Sequence, residues 1–193
     1  MSKPANHCVF CGEHADTREH IFAKCFFDHP YPKDLLTMPS CRKCNNSFSS
    51  DEQYLMYLID YLRSIENNNG EFTRDVAKKT FLHNEGLENR MMTSLSIDEE
   101  GKPIFVIETE RINRVICKIA RCLFMYCDIK TVTSDQIECK WSFSPQLSVV
   151  QKKEIERIKF TTLQEGLVMY YYTPKEIGFC LSEFFYGSAK IVS

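Results

Sequence analysis

The chain has 193 residues, 44% of them hydrophobic and 26% charged, which is the make-up of a globular protein able to bury a core rather than of a disordered one. Its formal net charge of −2 gives no global basic field for nucleic acid, so any phosphate-binding surface has to be a local patch. No apolar leader opens the sequence, and the most apolar helical stretch, 115–127, is broken by Lys118 and Arg121. We therefore expect no membrane span and a cytoplasmic location.

Residues 1–50 are dense in Cys, His and Pro and lack a regular apolar period, the texture of a segment held by a metal. Ser50 reads as an N-cap with Gln53 at the capping-box position, which predicts a helix over 51–65 with Tyr54, Leu55, Leu58, Ile59 and Leu62 on one stripe. Asp51 and Glu52 then read as first-turn acids favoured by the helix dipole. Asn67-Asn68-Asn69-Gly70 ends that helix, and a domain boundary is expected near residue 70. A second helix is predicted over 73–82 and a strand over 103–108.

The clearest helical period covers 110–127. Ile112, Val115, Ile116, Ile119, Leu123 and Cys127 share its apolar side, while Arg111, Arg114, Lys118 and Arg121 read as a solvated face, with a phosphate-tracking surface as the lesser alternative. Strands are predicted over 167–172, 177–185 and 189–192, joined by Pro174-Lys175 and by Gly187. The run Tyr170-Tyr171-Tyr172 reads as strand packing before it reads as a base-stacking platform. The fold class expected is α+β: a small metal-stapled module in residues 1–69 and a mixed helix and antiparallel-strand region in 70–193.

Ten cysteines in a cytoplasmic chain point to metal ligands and buried thiols rather than disulfides. Cys8-Val9-Phe10-Cys11 and Cys41-Arg42-Lys43-Cys44 are two CxxC pairs with 29 residues between them. A two-residue spacer lets both thiolates of a knuckle face one ion, and two knuckles complete a four-sulfur tetrahedron that suits structural zinc. Cys25, Cys117, Cys122, Cys127, Cys139 and Cys180 lack such spacing and read as buried thiols. His7, His14, His29 and His83 read as surface residues.

Between the knuckles lies Arg18-Glu19-His20-Ile21-Phe22, and Asn45-Asn46 directly follows the fourth cysteine. A carboxylate, an imidazole and an amide are thus tied to one staple. Phosphodiester hydrolysis needs such groups: oxygen ligands for a hard cation and a base near neutral pKa.

This pattern, Cys8-x-x-Cys11, Glu19-His20-Ile21 and Cys41-x-x-Cys44-Asn45, resembles the HNH or ββα-metal endonucleases, in particular their zinc-bearing endonuclease-VII-like subtype. The resemblance covers about residues 8–46. It implies a β-hairpin carrying His20 as general base, followed by a helix carrying Asn45. It implies Glu19 and Asn45 as ligands of a catalytic magnesium or manganese ion, and the four cysteines as zinc ligands. It further implies nucleic acid, DNA before RNA, as the partner, with a protein partner or a homodimer left open. The sequence departs from the family at Glu19, where Asp is commoner, and at Asn45, which replaces the last His of the family's name. The family's middle Asn has no clear counterpart, Asp34 and Thr37 being the nearest polar residues. The alternative from another class is a non-catalytic zinc module that binds nucleic acid or a protein.

Overall fold

The computed structural model describes residues 6–66, 74, 78, 86, 89, 94–97, 99, 103–127, 132–164 and 166–192. The described residues form an α+β fold with three α-helices and antiparallel sheets. Of the helix predicted over 73–82 only Arg74 and Lys78 are among them, Lys78 N–H donating to Arg74 O at 3.1 Å, and His83 lies outside.

The N-terminal part is a two-stranded hairpin, β1 (Thr17–His20) against β2 (Thr37–Ser40), followed after one residue by helix α1 (Arg42–Glu66). The helix begins nine residues before the predicted start at 51, so Ser50 is no N-cap but an exposed position within it. Its first two turns, Arg42–Ser50, carry almost no apolar side chain, and no hydrophobic period announces them. What starts the helix is polar: Asp16 Oδ1 accepts from the Arg42 backbone N–H at 2.8 Å, and the Cys41 sulfur lies 3.5 Å from the Cys44 N–H. From Tyr54 to Ile59 every side chain is buried.

A short antiparallel pair follows, β3 (Leu95–Ile97) with β4 (Pro103–Phe105), and then helix α2 (Thr109–Tyr126), within one residue of its predicted limits. The C-terminal part is a five-stranded antiparallel sheet of order β5-β9-β8-β7-β6: β5 (Ile137–Phe143), β6 (Thr161–Leu163), β7 (Val168–Tyr172), β8 (Glu176–Leu181) and β9 (Phe185–Ile191). Helix α3 (Val149–Glu156), which the sequence reading missed, is introduced by the Ser148 hydroxyl accepting from Gln151 N–H at 3.2 Å, with the Gln151 side chain returning to Ser148 N–H at 2.9 Å.

Two turns differ from expectation. The single strand predicted over 177–185 is two strands, β8 and the start of β9, folded at Ser182-Glu183; both residues have φ of 54°. Left-handed residues of this kind are usually Gly, Asn or Asp, so the sequence carried no turn signal there. Gly187, in contrast, is no joint but the middle of β9, directly across from Phe179. A Cβ at that position would lie 2.5 Å from Phe179 Cζ, so the phenyl ring takes the space of the missing side chain.

One buried cluster runs from Val9, Ile21 and Phe22 through Tyr54–Ile59 of α1 and Ile112–Phe124 of α2 to Val168, Phe179 and Phe185 of the sheet. The segments either side of residue 70 therefore share a core. The loop after β1 enters it: Phe22 packs at 5.6 Å from the Tyr170 ring and 5.9 Å from Phe179. Tyr170 is strand packing, as expected; Tyr172 is half exposed. No helix among the described residues is long and apolar enough to cross a membrane.

Candidate metal centre and the histidine strand

The first knuckle is a tight reversal. His7 and His14 form an antiparallel bridge, Cys8 N–H donates to Glu13 O at 2.7 Å, and Gly12 N–H donates to Cys8 O at 2.9 Å. Gly12 has φ of 79°, a left-handed turn conformation that needs no side chain. The second knuckle places Cys41 just before α1 and Cys44 in its first turn, with Asn45 N–H donating to Cys41 O at 2.9 Å. Val9 N–H donates to Pro39 O at 3.0 Å and fastens the first knuckle to β2 beside the second.

The four sulfurs of Cys8, Cys11, Cys41 and Cys44 lie within 4.8 Å of one another. They are positioned to hold a metal ion. With Zn–S bonds of about 2.3 Å, a tetrahedral site has S–S edges of about 3.8 Å. The Cys11–Cys41 separation is 3.7 Å, so the cluster is compatible with structural zinc. Its electrostatics also ask for a cation. Burial and the three neighbouring sulfurs push the Cys44 thiol well up, whereas Cys8, despite the upward push of burial, is brought down to about 6 by backbone N–H groups and Ser40. Four sulfurs this close ionise together only around a positive charge.

β1 carries Glu19 and His20, and its outer edge is capped. Pro39, opposite Arg18, has no N–H, so Arg18 and, two residues on, His20 turn their carbonyls away from β2. Each outward carbonyl has a donor. Asn45 Nδ2 donates to Arg18 O at 3.1 Å and to Thr17 Oγ1 at 3.1 Å. The Lys118 ammonium donates to His20 O, and to Ile21 O at 3.2 Å. Across the hairpin Arg18 Nε donates to Thr37 Oγ1 at 2.8 Å, so Thr37 faces His20 in register while its hydroxyl is engaged by Arg18.

Lys118 is buried, and its ammonium also lies 2.9 Å from Glu19 Oε1 and 2.7 Å from Glu52 Oε1. Burial raises the Glu19 pKa against the pull of Lys118. Glu19 Oε2 is buried with no hydrogen-bond partner. Strand alternation turns His20 to the side opposite Glu19, and it is half buried. Burial, then Lys24 and Lys118, lower its pKa, which favours the neutral imidazole.

Of the expected site, then, the structure assembles the four cysteines, and it brings Asn45 to the strand of Glu19 and His20. Asn45 touches that strand through its amide nitrogen, and Glu19 is turned to Lys118. The basic side of α2 is turned largely inward, with Arg114 alone of its four cations exposed. Arg111 pairs with Asp51 at 3.5 Å and Glu108 at 3.0 Å, and Arg114 pairs with Asp51 at 2.8 Å. Arg121 donates to the carbonyls of Val9, Phe10 and Val132 at 3.2, 2.8 and 3.1 Å. Asp51 and Glu52, in turn, are not first-turn acids but buried partners of these cations in the third turn of α1. The missed signal was positional: Lys118 stands three residues after Val115 and four before Cys122, on the buried side of the helix. The exposed cations near β1 and the knuckles are instead Arg18, Lys24, Arg42 and Lys43.

No known protein family, curated protein or solved structure matches this chain.

Proposed function

We propose that the chain is a metal-dependent nuclease of the HNH type, with His20 as the general base. The observation that carries this reading is the placement of His20. It ends a strand whose hairpin partner runs into the second cysteine knuckle, and Asn45, at the start of the next helix, is hydrogen-bonded to that strand. The backbone of the strand that carries the half-buried His20 is clamped by Asn45 and Lys118, which fixes the point from which the imidazole reaches the substrate.

The remaining groups fit a divalent ion. Glu19, Glu52 and Lys118, when ionised, sum to one negative charge, and Glu19 Oε2 is a buried oxygen with no partner. Asn45 uses its amide nitrogen on β1, which leaves its amide oxygen as the ligand atom. Glu19 and Asn45 would hold the ion, and magnesium or manganese bound there would supply Lewis-acid stabilisation of charge on a phosphate. His20 accepts the proton of the attacking water at a ring nitrogen. Arg18, Lys24, Arg42 and Lys43 form the local patch for the phosphate backbone of nucleic acid, DNA being the preferred substrate.

A second reading, a non-catalytic zinc module that binds nucleic acid or a protein, is favoured by one observation. Lys118 occupies one oxygen of Glu19, and the Asn45 amide caps a strand edge, so both residues have structural work. Plasmid nicking by zinc-loaded wild type and His20→Ala, with and without magnesium or manganese, separates the two. The nuclease reading expects metal-dependent nicking that falls by about 10²–10⁴-fold in His20→Ala while zinc content is kept. Binding of DNA without cleavage by either protein selects the second reading.

A further inference from the structure

Outside the knuckles, two thiols far apart in sequence meet. Cys117 Sγ on α2 and Cys139 Sγ on β5 are 3.0 Å apart, across a separation of 22 residues. Each is half buried and opens on a different cavity. Cys117 lines one of about 200 Å³ together with Phe10, Arg114 and Arg121, and Cys139 lines one of about 630 Å³ under α3. We propose that Cys117 and Cys139 are a peroxide-sensitive pair that closes to a disulfide joining α2 to β5.

The chemistry follows from the surroundings. The hydrogen bond from Cys139 lowers the Cys117 pKa, against burial, and Arg121 adds to it, so of the pair Cys117 ionises first and Cys139 keeps its proton. The smaller cavity suits a small oxidant. The Cys117 thiolate attacks one oxygen of hydrogen peroxide; the O–O bond breaks, the sulfur becomes a sulfenic acid, and the leaving hydroxide takes a proton to become water. Cys139 sulfur then attacks the Cys117 sulfur, the S–O bond breaks, and the departing hydroxide takes the Cys139 proton as a second water. Two thiols are oxidised by two electrons and one peroxide is reduced to two waters. Three of the four other thiols outside the knuckles do not compete, since burial pushes Cys25, Cys122 and Cys180 up to about 12.

The inference is independent of the nuclease reading. Its test treats the zinc-loaded full chain with one equivalent of hydrogen peroxide, alkylates the free thiols and maps peptides by mass spectrometry. A cross-link between the Cys117 and Cys139 peptides is expected, with zinc retained. Oxidation should raise Tm by about 5–10 °C, because the new bond closes a 22-residue loop. In Cys139→Ala the reaction should be slower, since the hydrogen bond that lowers Cys117 is gone, and should stop at the sulfenic acid, which a 1,3-dione captures on Cys117. Alkylation of both cysteines as free thiols after treatment overturns the proposal. So does oxidation of the knuckle cysteines with zinc release before any Cys117–Cys139 cross-link forms.

Discussion

Replacing Lys118 with Met gives the strongest test of how the histidine strand is held. Methionine keeps the unbranched stem, one atom shorter, and removes the charge. Glu19 and Glu52, both buried, then lose the ammonium within 3 Å of each, and the carbonyls of His20 and Ile21 lose their donor. Breaking a buried ion pair by removing one partner costs about 3–5 kcal/mol. For a chain of this length that is a fall in Tm of roughly 6–20 °C. The loss should depend on pH with a defined sign. Without the pull of Lys118, burial holds the folded pKa of Glu19 further above the unfolded value. The stability this carboxyl contributes is fully present below the unfolded pKa and is lost as pH rises through the folded one. The variant should thus be closest to wild type near pH 4–5 and furthest from it above neutrality. Urea unfolding followed by circular dichroism, with zinc present throughout, measures this. Combining Lys118→Met with Glu19→Gln and Glu52→Gln should recover more than half of the loss, since no buried charge then remains. A cost below about 1 kcal/mol for Lys118→Met, or no recovery in the triple variant, would refute the clamp.

Zinc binding should be stoichiometric, at one ion per chain by elemental analysis, and Cys41→Ser or Cys44→Ser should lose both the metal and soluble fold; a folded, zinc-free double variant would contradict the metal centre. Gly187→Ala drives a methyl group into the buried Phe179 ring and should cost about 1–3 kcal/mol by the same urea assay, far more than an alanine in an open strand. Any cleavage activity should fall on acidification at a lower pH than an ordinary histidine would give, because burial lowers the His20 pKa; a pH–rate profile falling already above pH 7 would be the wrong sign.

How much of this was legible in the sequence differs from feature to feature. The two CxxC pairs are local, so their spacing announced a four-sulfur site. Helix α2 was legible because its apolar period is uninterrupted over four turns. The start of α1 was hidden, since its opening turns are packed on knuckle and hairpin through polar contacts and have no apolar stripe. The Ser182-Glu183 turn was hidden because ordinary residues occupy its left-handed positions. The partners of Lys118 are almost a hundred positions away in β1 and over sixty in α1, and no local rule links them. Cys117 and Cys139 fall in the same class, being ordinary in sequence and adjacent only after folding.

The inward turn of the α2 cations sets how the chain should respond to ionic strength. Arg111, Lys118 and Arg121 are engaged by carboxylates and carbonyls of the protein itself, so they are not free to neutralise phosphates and release the counterions condensed on a polyanion. Among the described cations near β1, Arg18, Lys24, Arg42 and Lys43 are exposed and can displace ions from a polyanion, Arg42 lying 3.9 Å from Asp16. Each such contact contributes about −0.9 to the slope of log affinity against log salt on a duplex, so four give a slope of roughly −3.6. A strand bound by this face would thus be released only gradually as salt is added, and discrimination between ligands would fall to shape and metal rather than to bulk charge.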